Sequence, residues 1–487
     1  MAYTHFERLS ALDDSFLEIE DGNSHMHIGA VAVFEGGPLA TPEGGVDIER
    51  VRTLMEAGLH RFPRYRQRLE STPAFGQPVW VDDRRFNLAY HVRHTHLPRP
   101  GDDRQLKRLV GRLMSQELDR GKPLWEMWVV EGLGQGRFAI VTKAHHCMID
   151  GVGSVELTGS VMRPTPEPDP SLEAPPPPWL PRPVPSPSEL LLAELGRRVH
   201  APLAAAASAV RALTEPRAAL SAARDTVSGI VRALSAGFSP ASPTPFNVEI
   251  GPHRRFDWTV ADLESLKATR TRYGGTVNDV VLAVLAGALG RFFYRRGIGT
   301  AHMDFRVMVP VNVRDEATRL DTGNRVAMMV VQLPLHERDP VRRLEMTVAE
   351  TRRIKTSQQA RGMQAIEELS DWTFTSLLSA FARLTTVSRP YNVVVTNVPG
   401  PAYPVYVSGC RMTACYPLVP LFANQALGVA LFSYQGQLYW GFNADWDAVP
   451  DLHELVEAVD HELEIMASLG TATTGASAPA PGEAAAS

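Results

Sequence analysis

An α/β fold built on large mixed sheets is what this chain of 487 residues predicts. Apolar runs at strand spacing and apolar residues at helix spacing interleave on both sides of one proline-rich stretch, the pattern of a layered α/β architecture. The chain is also too long for one compact core at roughly 100–200 residues per domain, so two large domains follow.

The elements can be justified in order. HIGAVAVFEG, from His27, reads as a strand. Leu106, Leu109, Val110, Leu113, Met114 and Leu118 fall at helical spacing and predict an amphipathic helix. WEMWVVEGL and RFAIVTKAHH then read as two strands joined by the turn Gly134-Gln135-Gly136. The glycine-rich GLGQGR is therefore a hairpin turn and not a phosphate loop, because no helix and no Lys-Ser/Thr pair follows it. Residues 164–187 hold twelve prolines, and proline lacks the donor that helix and sheet require, so this stretch is expected to be an extended, semi-rigid linker. An Ala/Arg-rich segment of helical propensity follows, over about 189–237. Thr276 with Asp279 three residues on resembles a capping box, and VVLAVLAGALGRFF continues that helix. Strand-like runs come at 305–310, 326–333, 391–397, 427–434 and 438–443, and a last helix at about 452–469. The expected organisation is an N-terminal domain over 1–163, a proline-rich then helical linker over 164–245, a C-terminal domain over 246–470, and a tail over 471–487 too poor in apolar residues to fold.

Composition removes several classes of function. A net charge of −5 without any Lys/Arg run gives no electrostatic reason for a nucleic-acid partner. Cys147, Cys410 and Cys415 are too few, and odd in number, for a secreted disulfide framework, and they fit a reducing cytoplasm. None belongs to a CxxC pair, so no metal is expected. The first residues lack the basic start and apolar core of a signal peptide. No run reaches the roughly 18 apolar residues of a membrane span. The expected location is the cytoplasm, either free or peripheral at the inner face of the plasma membrane or on lipid droplets.

The most informative residues are His145-His146-Cys147-Met148-Ile149-Asp150-Gly151. An apolar strand runs into two histidines and then into a turn that ends Asp-Gly, and strand ends are where α/β proteins place chemistry. Imidazole accepts a proton at neutral pH, while Asp150 could hold the turn or orient the ring. A structural histidine beside a turn is the plainer alternative. A metal site sharing His and Asp would need a third donor at close spacing, and none is evident.

HHCMIDG is the HHxxxDG pattern of the CoA-dependent acyltransferase superfamily, which includes chloramphenicol acetyltransferase and peptide-synthetase condensation domains. LSALDDSFLEIE at 9–20, PLWEMWVVEGL at 123–133, TVNDVVLAVLAGAL at 276–289, PVNVR at 310–314, TNVPGP at 396–401 and FSYQGQLYWGFNAD at 432–445 resemble the bacterial wax ester synthase/diacylglycerol acyltransferase family in particular. They stand in family order and span nearly the whole chain outside linker and tail. The resemblance implies two chloramphenicol-acetyltransferase-like domains, with a tunnel that admits acyl-CoA from one side and the acceptor alcohol from the other. It makes His146 the general base, with His145 setting its geometry. Asp150 turns away from substrate toward an arginine, for which Arg314 is the candidate, and Gly151 completes the turn.

The chemistry agrees with that assignment. A histidine can take the alcohol proton as the C–O bond forms and return it to the departing CoA thiolate, with no covalent intermediate. No GxSxG elbow offers an acyl-serine route. Cys147, adjacent to His146, should point to the opposite side and pack. Asn278, in the matched ND pair at a helix N-terminus, is the candidate oxyanion donor, its alternative being an ordinary first-turn residue. Asp279 is better read as a cap than as a catalyst. Asn397 and Ser433 lie in matched strand motifs and would border the acyl-CoA. Glu20 is placed near the acceptor, with a solvated surface charge as its alternative. The implied reaction is acyl-CoA-dependent esterification of diacylglycerol, of a long-chain fatty alcohol, or of both, with acyl-CoA as co-substrate and no other cofactor. A related condensation-type enzyme using carrier-bound acyl groups, or a non-catalytic lipid-binding protein on the same fold, are the competing readings.

Overall fold

The computed structural model describes residues 5–73, 78–148, 159, 161–167, 178–196, 240–312, 326–356 and 389–471. Asp150, Gly151, Arg314, most of the Ala/Arg-rich segment and the tail lie outside these residues.

The N-terminal half supplies eight strands. They are β1 (Glu7–Arg8), β2 (His27–Phe34), β3 (Gln67–Ser71), β4 (Pro78–Asp82), β5 (Val92–His96), β6 (Trp125–Leu133), β7 (Arg137–His145) and β8 (Met162–Arg163). Eight more follow: β9 (Arg254–Asp262), β10 (Phe305–Asn312), β11 (Val326–Leu333), β12 (Val393–Pro399), β13 (Tyr406–Val407), β14 (Cys410–Leu418), β15 (Leu427–Tyr434) and β16 (Gln437–Asp445). Two large sheets result, in the orders β5-β6-β7-β2-β14-β13-β8 and β11-β10-β12-β15-β16-β9, beside a small β1-β4-β3 sheet. Both large sheets are mixed, since β5–β6, β10–β12 and β12–β15 run parallel while the other pairs in those sheets are antiparallel.

Local chemistry explains the main helices. Asp102 and Gln105 form a capping box at the start of Asp103–Met114, and Leu106, Leu109, Val110, Leu113 and Met114 are buried on one stripe. The expected periodicity is observed, although Leu118 lies beyond the helix and is buried on its own account. Thr276 and Asp279 likewise form a capping box on Val277–Arg295. That helix is long and apolar enough to cross a membrane by composition, but 72% of its apolar window is buried in the protein's own core.

The sheets do not follow the linear order of the chain. β13 and β14 belong to the C-terminal region yet extend the sheet that carries β2 and β7, with Leu418 opposite Gly29 and Tyr416 opposite Val31. The approach of β14 to β16 is close: a Cβ on Gly441 would stand 1.9 Å from the Pro417 carbonyl oxygen, so only glycine fits. Tyr434 and Tyr439 donate hydroxyl hydrogen bonds to the carbonyls of Met412 and Thr413. The helix Asp103–Met114 lies against β9, where a side chain on Gly111 would meet the Arg254 carbonyl at 2.6 Å. The end of the proline-rich stretch is also docked. Trp179 meets Phe86 edge-on and lies under the Arg66 guanidinium, and Arg182 grips Asp82 through its backbone and guanidinium nitrogens. The helical residues 187–196 then bury Leu190 against Val79 and Val81.

Candidate active site

β7 is apolar from Phe138 to Val141 and ends at His145, directly opposite His27 of β2. The chain then tightens into the short 3-10 turn His146–Met148. Two backbone bonds fix this turn. The His146 amide donates to the Met26 carbonyl at 2.8 Å, and the Cys147 amide donates to Nδ1 of His145 at 3.1 Å. Because Nδ1 of His145 accepts, its ring proton sits on Nε2, which faces Glu20 Oε2 at 3.4 Å.

Phe16, from the helix Ala11–Ile19, lies 4.0 Å from the His146 ring, centroid to centroid. Burial, reinforced by neighbouring His145 and opposed by its own backbone, lowers the His146 pKa to about 4. The ring is therefore a neutral imidazole at physiological pH, ready to accept a proton. Cys147 is buried and its thiol is pushed well up by that burial, the opposite of what a nucleophile needs. It packs.

Glu20 is not a surface charge. Its side chain is about one-tenth exposed and accepts hydrogen bonds from Met26 N at 3.2 Å and from Arg120 at 2.5 and 3.2 Å, with Nε2 of His145 at 3.4 Å and Nε2 of His27 at 3.7 Å beyond them. Burial raises its carboxyl pKa, but the bonds to His145 and Arg120 outweigh this and hold it at about 2.

Asn278 sits in the first turn of its helix, and its Oδ1 accepts from Asn397 Nδ2 at 2.7 Å. Two matched motifs far apart in sequence are thus joined through the Asn278 oxygen, and the amide nitrogen of that side chain, a donor, stands outside this bond. Asp279 is the cap, accepting from Thr276 N and Oγ1 and from Thr351 Oγ1. Ser433 stands opposite Pro399 on neighbouring parallel strands, and its hydroxyl accepts from Gly400 N at 3.1 Å. Gly400 has no room for a side chain, since a Cβ would lie 2.3 Å from Phe432 and from the Ser433 carbonyl. Asn397 therefore ties β12 to Asn278, and Ser433 ties β15 to the chain leaving β12 at Gly400. Among the described residues no three His, Cys, Asp or Glu side chains are grouped to hold a metal.

Comparison with known proteins decides the family. Residues 9–281 match the wax ester synthase/diacylglycerol acyltransferase catalytic domain, and residues 322–467 match the C-terminal domain of the same family. The chain belongs to the wax ester synthase/diacylglycerol acyltransferase family. It is 31% identical over 468 residues to a probable diacylglycerol O-acyltransferase of Mycobacterium tuberculosis, covering 93% of this chain and 94% of that one. A second such protein from the same organism is 32% identical over 464 residues, covering 93% and 97%. The solved wax ester synthase/diacylglycerol acyltransferase of Marinobacter aquaeolei VT8 superposes with a TM-score of 0.67 at 25% identity, over 95% of this chain and 99% of that one. The starter condensation domain of rhizomide synthetase, at 16% identity and a TM-score of 0.56 over 96% and 95% of the two chains, shares the fold. The protein is an acyltransferase of this two-domain fold, as its motifs led us to expect.

Sequence reasoning missed Arg120, His27 and Phe16. Arg120 stands three residues before the PLW motif, and His27 opens the HIGAVAVF strand. Those placements were the available signals.

Proposed function

We propose that this acyltransferase esterifies diacylglycerol, a long-chain fatty alcohol, or both with the acyl group of acyl-CoA, and that His146 is its general base. The observation that carries the reading is the neutral, half-buried His146 on a turn fixed at two backbone points at the end of β7. The acceptor hydroxyl passes its proton to the imidazole as its oxygen bonds to the thioester carbon. The C–S bond then breaks, and the imidazolium protonates the leaving CoA thiolate. Asn278, with its oxygen occupied by Asn397, offers its amide hydrogens to the oxyanion, a role worth roughly 3–4 kcal/mol elsewhere. No cofactor beyond acyl-CoA enters this scheme.

The test is purified protein with labelled palmitoyl-CoA and a panel of hexadecanol, diacylglycerol and water as acceptors. Ester should form with a lipid acceptor, and His146→Ala should lower kcat by at least roughly 10²-fold with the fold intact. A variant keeping more than about a tenth of wild-type kcat would remove His146 from the base role. We further propose a cytoplasmic enzyme peripheral to the membrane or droplet surface. Residues 195–240 carry six arginines against only Glu215 and Asp225, a composition suited to an anionic lipid surface. Co-sedimentation with anionic and neutral vesicles tests this, and equal recovery with both would refute it.

A further inference from the structure

We propose that Glu20 is a positioning residue for the general base, locked in place by Arg120 and acting through His145 and Met26, not through contact with the acceptor. The proposal rests on the acyl-transfer reading and explains how that site is held.

Glu20 ends the helix Ala11–Ile19, the same helix that lays Phe16 on His146. Arg120, just before the PLW strand, reaches back across a hundred residues. Its Nη2 donates both to Glu20 Oε2 at 2.5 Å and to the Leu17 carbonyl at 3.0 Å, so one guanidinium caps the helix and grips the carboxylate. From Glu20 two routes lead to His146. On the first, Oε1 accepts from the Met26 amide at 3.2 Å, and the Met26 carbonyl accepts from the His146 amide at 2.8 Å. On the second, Oε2 faces His145 Nε2 at 3.4 Å, and His145 Nδ1 accepts from the Cys147 amide at 3.1 Å. One carboxylate therefore reaches the base through its own amide and through the amide of the next residue.

The second route depends on a tautomer. His145 can accept from Cys147 only while its proton is on Nε2, and the carboxylate stabilises that arrangement. Without it, a proton on Nδ1 would face the Cys147 N–H, donor against donor, and the turn carrying His146 would have to move. Contact with an acceptor hydroxyl is disfavoured by simple counting. An ionised carboxylate accepts at about four positions; Met26 N, Arg120 Nε and Arg120 Nη2 take three of those of Glu20, and the ring nitrogens of His145 and His27 stand over the remainder at 3.4 and 3.7 Å.

Glu20→Ala and Glu20→Gln, compared with wild type in the full chain, test the proposal. The readouts are kcat and KM for both substrates, melting temperature, and the ring-nitrogen NMR of ¹⁵N-histidine-labelled protein, with His145 assigned from a His145→Gln spectrum. The alanine variant should lose roughly 10²-fold in kcat through misplacement of the base, with both KM values within about two-fold of wild type. Its His145 spectrum should lose the pure Nε2–H form. Glutamine keeps one acceptor oxygen, enough for the Arg120 and His145 side or for the Met26 side but not for both, and should restore part of the kcat. A lowered melting temperature with unchanged kcat overturns the proposal in favour of a purely structural Glu20. A raised acceptor KM with unchanged kcat overturns it in favour of substrate contact. Should the alanine variant not fold, a glutamine variant with a wild-type His145 spectrum and a large kcat loss would also overturn it. Wild type that transfers no acyl group would defeat the functional reading instead, and the His145 spectra of the unliganded proteins would still decide the positioning role.

Discussion

His146 joins two properties that conflict in water: it must be basic enough to take a proton and yet unprotonated when substrate arrives. Desolvation meets the second requirement at the expense of the first: it lowers the pKa to about 4, so the ring is unprotonated when substrate arrives and takes its proton only as the acceptor hydroxyl releases it. If it is the base, kcat/KM should hold nearly constant from pH 8 down to about 5 and fall as pH approaches 4, because only the neutral ring can accept a proton. A pH–rate profile with its acid limb near 6.5, the value of a free imidazole, would assign the limb to a solvated group. At this scale the sequence was informative where a motif was local. HHCMIDG marked the strand end and its turn, and the Thr276–Asp279 spacing marked a cap. It was silent on Arg120 and His27, whose roles arise from contacts between segments that no periodicity connects, and it left Glu20 open between a surface charge and a site residue.

Among the helices of the second sheet, the strongest constraint is an ion pair buried at their junction. Arg343 and Glu462, 2% and 3% exposed, pair with each other; Arg343 also donates to the Ala283 carbonyl at 3.0 Å, and Glu462 accepts from Arg291 at 3.0 Å. Three helices, Val277–Arg295, Pro340–Thr356 and Leu452–Thr471, are tied through these groups. Gly287 makes the room, since a Cβ there would lie 2.5 Å from both charged ends. Glu462→Ala leaves a guanidinium buried without its partner and should destabilise the fold by about 3–5 kcal/mol. The double variant Arg343→Met/Glu462→Leu should recover most of that, because the desolvation penalty disappears together with the pair. Urea unfolding of the three proteins checks this, and equal stability of the single variant and wild type would show the pair to be solvated. Helix Leu452–Thr471 was legible from its apolar period. The ion pair was not, because a glutamate on a helix reads as solvent-facing until the neighbouring helix is placed.

For the molecule as a whole, β14 decides how the halves behave. Apolar alternation identified strands throughout the C-terminal region but could not say which sheet each would join, since the pattern reports burial and not partner. β13 and β14 complete the sheet that carries β2 and β7, so unfolding of the other half would strip β2 of its partner strand and leave the site sheet with an open edge. That half also concentrates groups that resist protonation. Burial lowers the pKa of His25 and, further, of His27, and sets His91 and His146 at about 4. A histidine whose folded pKa lies below its unfolded value of about 6.5 binds its proton first in the unfolded chain, so stability falls as pH drops from about 6.5 toward 4. His91 and His146 each account for on the order of 3 kcal/mol over that window. Glu20, held at about 2, has the same sign at lower pH: its contribution is complete above its unfolded value of about 4.5 and is lost as pH falls toward 2. The melting temperature should therefore decline steeply between pH 6.5 and 4, and both halves should melt together in a single calorimetric transition. Two separate transitions would show that the shared sheet does not couple the halves, and a melting temperature flat across this range would show that these histidines are solvated in the folded protein.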